Sequence, residues 1–415
     1  MLIADNRTVT GARTPRVSRR AGFWIFGAAL FGLLAASGAP SPLYVVYQQR
    51  FGFSATTLTA VFAVYALALL LALVTVGGLS DYIGRRPVLA ASLFLDAVSM
   101  VIFLTADGVG ELLLARVLQG IATGAATGAI GAGLVDLAPP GHPHRAAVVN
   151  STAPTAGLAV GALLAGALVQ YAPAPTTLTF ALLAAGLAAL TIAILIMPEV
   201  AGRRPGALRS LRPRVGIPAA VRRRFFAAAP VLVATWAVGG LYLSLGPSIA
   251  AGVLHLHSHL LSGLLLFALT AAGSLTSFLL RDRPAERVMA AGCAALIVGT
   301  ALSLVALALH STPLFFAGTV IAGIGFGAGF VGAFRSLVPL AAPSERAGLI
   351  AAVYVVSYLA FSVPAVIAGL LVGPLGLLGT AVAYGTVVIA LALAVLPASL
   401  RRAARGGITA APASR

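Results

Sequence analysis

The chain has 415 residues, 60% of them hydrophobic and only 9% charged, with a mean hydropathy of +1.03 and a formal net charge of +17. A soluble domain carries roughly three times that charged fraction, so the chain has too much apolar surface for one water-facing core, and lipid is its natural solvent. The single cysteine, Cys293, excludes an internal disulfide framework and a cysteine-based zinc site.

The first 20 residues are polar and contain arginine, without the short apolar core and small-residue site of a cleaved secretory signal. Apolar runs of about 20 residues follow, each long enough for a ~30 Å hydrocarbon core. They fall at 22–46, 57–79, 87–105, 111–136, 147–170 and 177–198, and, after an Arg-rich stretch, at 226–249, 259–280, 288–309, 313–340, 347–372 and 376–398. This predicts an all-α membrane protein with twelve transmembrane helices. A cytoplasmic N-tail (1–21) precedes a six-helix bundle (22–198), a cytoplasmic linker (199–225), a second six-helix bundle (226–398) and a cytoplasmic C-tail (399–415).

All 27 basic residues are arginine, and their placement sets the orientation. With the N-terminus cytoplasmic, 24 fall in the tails and loops of one side, only Arg50 falls on the other, and Arg116 and Arg335 lie inside apolar runs. The positive-inside rule then puts both termini in the cytoplasm of a cell that holds the protein in its inner membrane. The same distribution argues against nucleic-acid binding, which needs its basic residues on one soluble face.

The two halves are weakly alike. Gln119-Gly-Ile-Ala-Thr-Gly-Ala matches Ala322-Gly-Ile-Gly-Phe-Gly-Ala at an offset of 203 residues, and Leu134-Val-Asp-Leu-Ala matches Leu337-Val-Pro-Leu-Ala at the same offset. Helix four thus corresponds to helix ten, and the two bundles are expected to be pseudo-symmetric, a common plan of secondary transporters.

Between helices two and three the chain reads Gly77-Gly-Leu-Ser-Asp-Tyr-Ile-Gly-Arg-Arg-Pro-Val-Leu89. Asp81 ends helix two, where it can approach the positive N-terminal end of a facing helix, helix eleven being the expected partner. Gly84 permits a tight turn, and Arg85 is placed to reach Asp136 at the same end of helix four. Gly77, Asp81, Gly84, Arg85, Arg86 and Asp136 therefore form a candidate gating group. Helix four contributes Arg116-Val-Leu-Gln-Gly, with Arg116 and Gln119 well below the surface, and Gly120, Gly124 and Gly128 on a smooth face for close packing. An intramembrane arginine faces a cavity or a partner. Helix five carries Ala153-Pro-Thr-Ala-Gly157, in which Pro154 frees a backbone carbonyl and kinks the helix, with small residues Gly157 and Gly161 around it.

These elements resemble the major facilitator superfamily. The helix two–three loop is similar to its Gly-x-Leu-x-Asp-x-x-Gly-Arg-Arg/Lys signature, helix four to its Arg-x-x-Gln-Gly element, and helix five to a degraded Gly-Pro-x-x-Gly antiporter motif with alanine in place of the first glycine. The resemblance is to twelve-helix drug or metabolite:proton antiporters and implies proton coupling through Arg116.

Acids inside the apolar runs of the first half are Asp96, Glu111 and Asp136, and the second-half runs hold none. An acid in lipid either pairs or stays protonated, so Asp96, Glu111 and Arg116 are the coupling candidates, with Asp96 expected within reach of Arg116. Helix one has no acid. Its proline-broken Ser37–Tyr44 stretch offers Tyr44 and Tyr47 to a substrate cavity, together with Gln119 and Asn150. His255, His257 and His259 are spaced i, i+2, i+4 in an outer loop without acid or cysteine, and are read as a solvated loop rather than a metal site. No cofactor is expected, no nucleotide or nucleophile motif is present, and an enzyme is not expected. The expected function is proton-coupled efflux of a small hydrophobic or amphipathic compound by a monomer in the lipid bilayer. The alternatives are a symporter importing a sugar or carboxylate and a transport-dead sensor.

Overall fold

The computed structural model describes residues 18–408 other than 143, 203 and 257, so His257 and most of the N-tail lie outside the described residues. All regular elements among the described residues are helical. The spans of the first half are helix one (Arg19–Phe51), two (Ala55–Thr75), three (Arg85–Thr105), four (Val109–Leu137), five (His144–Tyr171) and six (Pro175–Ile196). Those of the second are seven (Ala219–Ser244), eight (His259–Leu279), nine (Ala285–Ala308) and ten (Thr312–Leu337), followed by one run, Arg346–Ile408. At 63 residues that run would extend roughly 95 Å as a single helix, three times a hydrocarbon core. Gly376, with φ 69° and ψ 175°, breaks it into helices eleven and twelve. The chain is therefore an all-α membrane protein of twelve spans.

Helix one breaks between Gly38 and Pro40, as its two prolines require, and helix seven has a matching break before Gly246-Pro247, where it continues as Gly246–Gly252. Serines 18, 54 and 258 cap helices one, two and eight with their side-chain oxygens. Helix seven starts at Ala219, ahead of the expected 226, so Arg222–Arg224 lie in its first turns rather than in the linker. Arginine is a good helix former, and its long side chain can reach the interface from a helix end. For the same reason the last helix continues past 398 to Ile408. Asp81 sits on a short separate helix, Ser80–Ile83, rather than at the end of helix two.

Close backbone approach holds each bundle. A Cβ added at Gly120, Gly124 or Gly128 would lie 2.4, 2.3 and 2.1 Å from the carbonyl oxygens of Tyr65, Leu69 and Gly77 on the helix-two side. In the second half, Gly323 and Gly327 of helix ten stand in the same relation to Leu269 and Gly273 of helix eight, at 2.4 and 2.1 Å. The two bundles meet at the end opposite the Arg-rich loops. There a Cβ on Gly166 would lie 2.6 Å from the His259 carbonyl and one on Gly263 the same distance from that of Ala162. Thr56 Oγ1 donates to the Gly369 carbonyl at 3.1 Å, and the His259 N–H donates to Gln170 Oε1 at 2.9 Å.

Candidate functional site

Helix four has two working faces. The glycine face presses on helix two, and the polar face, one to two residues around, carries Arg116, Gln119 and Thr123 at i, i+3 and i+7. Arg116 is 1% exposed. Its Nε donates to the Tyr44 hydroxyl at 2.8 Å, its Nη1 to Gln119 Oε1 at 2.6 Å and to the Ser37 carbonyl at 3.3 Å, and its Nη2 also bonds Tyr44. The guanidinium carbon lies 5.3, 5.2 and 5.7 Å from the ring centroids of Tyr44, Tyr65 and Phe103. Those π faces add electrostatic stabilisation to a desolvated cation. Tyr65 donates to Ser37 Oγ at 3.0 Å, which ties the proline-broken turn of helix one to helix two.

Asp96 of helix three is fully buried, at 0% exposure. Its Oδ1 accepts from Ser99 Oγ at 3.1 Å, while Oδ2 and the Gln119 side-chain nitrogen are both buried without a partner. The Gln119 amide lies close to the Asp96 carboxyl, so a small shift pairs the two. Each unmade bond of this kind costs about 1–3 kcal/mol. Gln119 therefore stands between Asp96 and Arg116 in place of the direct contact expected, its oxygen on Arg116 and its unpartnered nitrogen beside Asp96.

Other candidates are placed differently from expectation. Tyr44 is buried on Arg116, not exposed to a cavity. The Tyr47 hydroxyl donates to the Phe103 carbonyl at 3.1 Å and its ring stacks on Phe51 and Phe180, inside the first bundle. Glu111 accepts the Asp107 N–H at 2.5 Å, capping the start of helix four instead of turning inward to Arg116. Asn150 donates to the Gly131 carbonyl at 3.3 Å and joins helices four and five. Helix five runs through Pro154 without a break. A Cβ on Gly157 or Gly161 would lie 2.4 and 2.1 Å from the carbonyls of Phe31 and Ala35, so these glycines serve the crossing with helix one.

At the arginine-rich end, Arg85 bridges Asp81 and Asp136. It bonds Asp81 at i, i+4, contacts Asp136 Oδ2 at 3.4 Å through Nε, and donates to Ser80 Oγ at 2.9 Å. The Asp81 carboxylate is therefore committed to Arg85 rather than to helix eleven. Sequence reasoning missed Glu199, which follows helix six. Its Oε1 accepts the Arg85 N–H at 2.8 Å and lies 3.4 Å from that of Arg86, so the carboxylate sits on the N-terminus of helix three, where the helix dipole favours it. Gly84 is required twice over: its φ is 106°, and a Cβ would lie 2.3 Å from Glu199 Oε2. Gly77 meets Gly128 at the foot of helix four, and Arg86 bonds the Leu195 carbonyl. A recess of about 600 Å³ opens beside Asp81, Arg85 and Asp136 and is lined also by Val200, Ala201, Gly202 and Arg204.

The second bundle is different in kind. Tyr242, Ser303 and Thr319 form a chain of hydroxyls at 3.1 and 3.2 Å. Trp236 of helix seven sits among Phe326, Phe330, Tyr358 and Phe361 at 6.3, 5.5, 5.0 and 5.5 Å between ring centroids. Phe361 meets Phe62 of the first bundle at 4.8 Å. The four-residue spacing of Phe326, Phe330 and Phe334, and of Tyr354 and Tyr358, carried the signal for this cluster. His255, from the loop histidines, stacks on His310 at 6.5 Å, and His259 begins helix eight.

The model of the Major Facilitator Superfamily matches residues 25–358. The chain belongs to this superfamily. It is a multi-pass membrane transporter, and members of the family carry small molecules. Solved structures share the fold. A bacterial homolog of the human lysosomal transporter Spinster, in an inward-facing and unoccupied conformation, aligns with a TM-score of 0.77 at 16% identity, covering 93% of this chain and 98% of that one. A POT family transporter in complex with a thioalcohol-conjugated peptide gives 0.74 at 14% identity, over 91% and 95%. The nucleoside transporter NupG gives 0.67 at 13%, over 92% and 99%. No curated protein matches the sequence.

Proposed function

We propose that the protein exports a small hydrophobic or amphipathic compound from the cytoplasm across the inner membrane in exchange for protons, by alternating access. The observation that carries this reading is the buried Arg116–Gln119–Asp96 chain in the first bundle. There the Gln119 oxygen accepts from the cation, and its unpartnered amide nitrogen stands beside the acid, away from water. The proton leaves Asp96 when Arg116 moves from Tyr44 towards it and returns when Arg116 moves back. Rocking of helix one, which carries Tyr44 and the Ser37 carbonyl, against helix four supplies that movement.

The arginine-rich face is cytoplasmic in this reading, so the contacts at Gly166, Gly263 and Gly369 are the closed outer gate. Asp81, Arg85 and Asp136 form the inner latch, and Glu199 holds the loop that carries it. The aromatic residues around Trp236, where the bundles meet through Phe361 and Phe62, favour hydrophobic cargo over sugars, whose hydroxyls need polar partners. The test has two stages. A deletion strain is screened for sensitivity to, and accumulation of, a panel of toxic compounds. The compound so identified is then followed in proteoliposomes under an imposed pH gradient. Counter-transport of compound and proton is expected, and movement of both in the same direction would replace export by symport.

A further inference from the structure

The aromatic cluster of the second bundle takes no part in the coupling chain, and its chemistry narrows the cargo. Trp236 is partly exposed and centred among rings whose planes meet its own at 53–83°. Edge-to-face packing of this kind covers part of the indole, and its partly exposed remainder can take a further flat group in the same geometry. Phe330, Tyr354 and Tyr358 are also partly exposed, and the Phe361–Phe62 contact places the cluster where the two bundles meet. One polar atom stands out: the indole Nε1–H of Trp236 is buried and has no hydrogen-bond partner. Such a donor needs an acceptor.

Charge decides the rest. Helices seven and ten and the Arg346–Ile408 run, which build the cluster, contain no acidic residue. A cationic ligand would leave water for π faces alone, worth about 0.5–2 kcal/mol, with no carboxylate on these helices to offset the several kcal/mol of its desolvation. The nearest cation on helix ten, Arg335, is turned to the Leu280 carbonyl at 3.3 Å on the far side towards helix eight, and Arg116 is enclosed by Tyr44, Tyr65 and Phe103. An anion finds neither of these cations free to pair with it.

We infer that this cluster is the binding site for an uncharged, planar aromatic compound that presents a hydrogen-bond acceptor to the Trp236 indole. The inference rests on the export reading for its biological meaning, but its test does not. The chain has two tryptophans, and Trp24 is 56% exposed on helix one, so Trp24→Phe leaves Trp236 as the sole reporter. Its fluorescence is titrated in detergent with three nitroaromatic quenchers of matched size: neutral 4-nitroanisole, anionic 4-nitrobenzoate and cationic 4-nitrophenyltrimethylammonium.

Saturable quenching by 4-nitroanisole is expected, about tenfold tighter than by either ion, and unaffected by excess glucose. Phe330→Ala should weaken it about tenfold, the scale of an aromatic contact. Phe330→Leu, which keeps most of the volume, should weaken it too and guards against a folding defect. Trp236→Phe, which leaves only Trp24, should show non-saturating quenching. Equal non-saturating quenching of both tryptophans, or tighter binding of either ion, would overturn the inference. Aromatic binding without proton-linked flux would instead count against the export reading alone, and proton-linked flux of a non-aromatic compound without this binding would count against the inference alone.

Discussion

The two bundles repeat each other in backbone and differ in chemistry. The 203-residue offset that pairs Gly120 with Gly323 and Gly124 with Gly327 also pairs Arg116 with Thr319. Around the glycines the copies agree closely: a Cβ at Gly120 or at Gly323 would sit 2.4 Å from a carbonyl of the neighbouring helix. On the polar face they part. The first bundle buries a guanidinium, an amide and a carboxyl, and the second buries the Tyr242, Ser303 and Thr319 hydroxyls beside a tryptophan-centred cluster. Helix crossings cannot drift, because any added atom would strike backbone. The side chains facing the bundle interior were free to differ, and in the proposed function one half moves charge while the other meets cargo.

The sharpest way to break this comparison is to exchange the paired positions. Arg116→Met leaves the Tyr44 hydroxyl, the Ser37 carbonyl and Gln119 Oε1 without their donor. It should lower transport about a hundredfold, the scale of a lost proton-transfer group, as measured by flux in proteoliposomes. Thr319→Val leaves Tyr242 on Ser303 and should stay within about twofold, since one neutral hydrogen bond contributes about 1 kcal/mol. If both lose activity equally, the halves are not specialised. Where the halves agree, they should fail alike. Gly124→Val and Gly327→Val press on carbonyls 2.3 and 2.1 Å away and should each lower stability in detergent by about 1–3 kcal/mol, the range for overpacking.

Glu199→Gln removes the charge at the start of helix three but keeps an acceptor, and should cost about 0.3–1 kcal/mol of stability, the scale of a charge at a helix N-terminus. Helix nine, the pseudo-symmetric counterpart of helix three, has Pro284 at its N-cap and no side-chain cap bond there. The smallest effect belongs to Tyr47→Phe, which deletes one hydrogen bond to the Phe103 carbonyl. Thermal stability should fall by about 1 kcal/mol or less, with flux unchanged. A large loss of flux would return Tyr47 to the transport path.

The helices were legible because lipid imposes a length and a hydropathy on each span, and the break at Gly376 falls on the residue expected to begin helix twelve. Asp81, Arg85 and Asp136 could be grouped because all three lie at the same end of their helices. Glu199 escaped because its role depends on the chain after helix six folding back beneath helix three, a tertiary path that no local pattern encodes. Glu111 and Tyr47 misled for a related reason. An acid near an arginine, or a tyrosine near a proline break, suggests a site, but rotation about the helix axis decides whether the side chain caps, packs or faces the interior. The aromatic cluster was written in four-residue spacings, yet phenylalanine at such spacing is ordinary in a membrane helix. Only the meeting of helices two, seven, ten and eleven distinguishes it.

The central claim is that Asp96 carries the exchanged proton. Its most direct test is Asp96→Asn in proteoliposomes, comparing pH-gradient-driven accumulation of the compound found by the deletion-strain panel with its gradient-free exchange across the same membrane. The account predicts that accumulation is abolished while exchange persists, because the neutral amide can still bond Gln119 and the cargo cluster is untouched. Accumulation at the wild-type level in Asp96→Asn would contradict it.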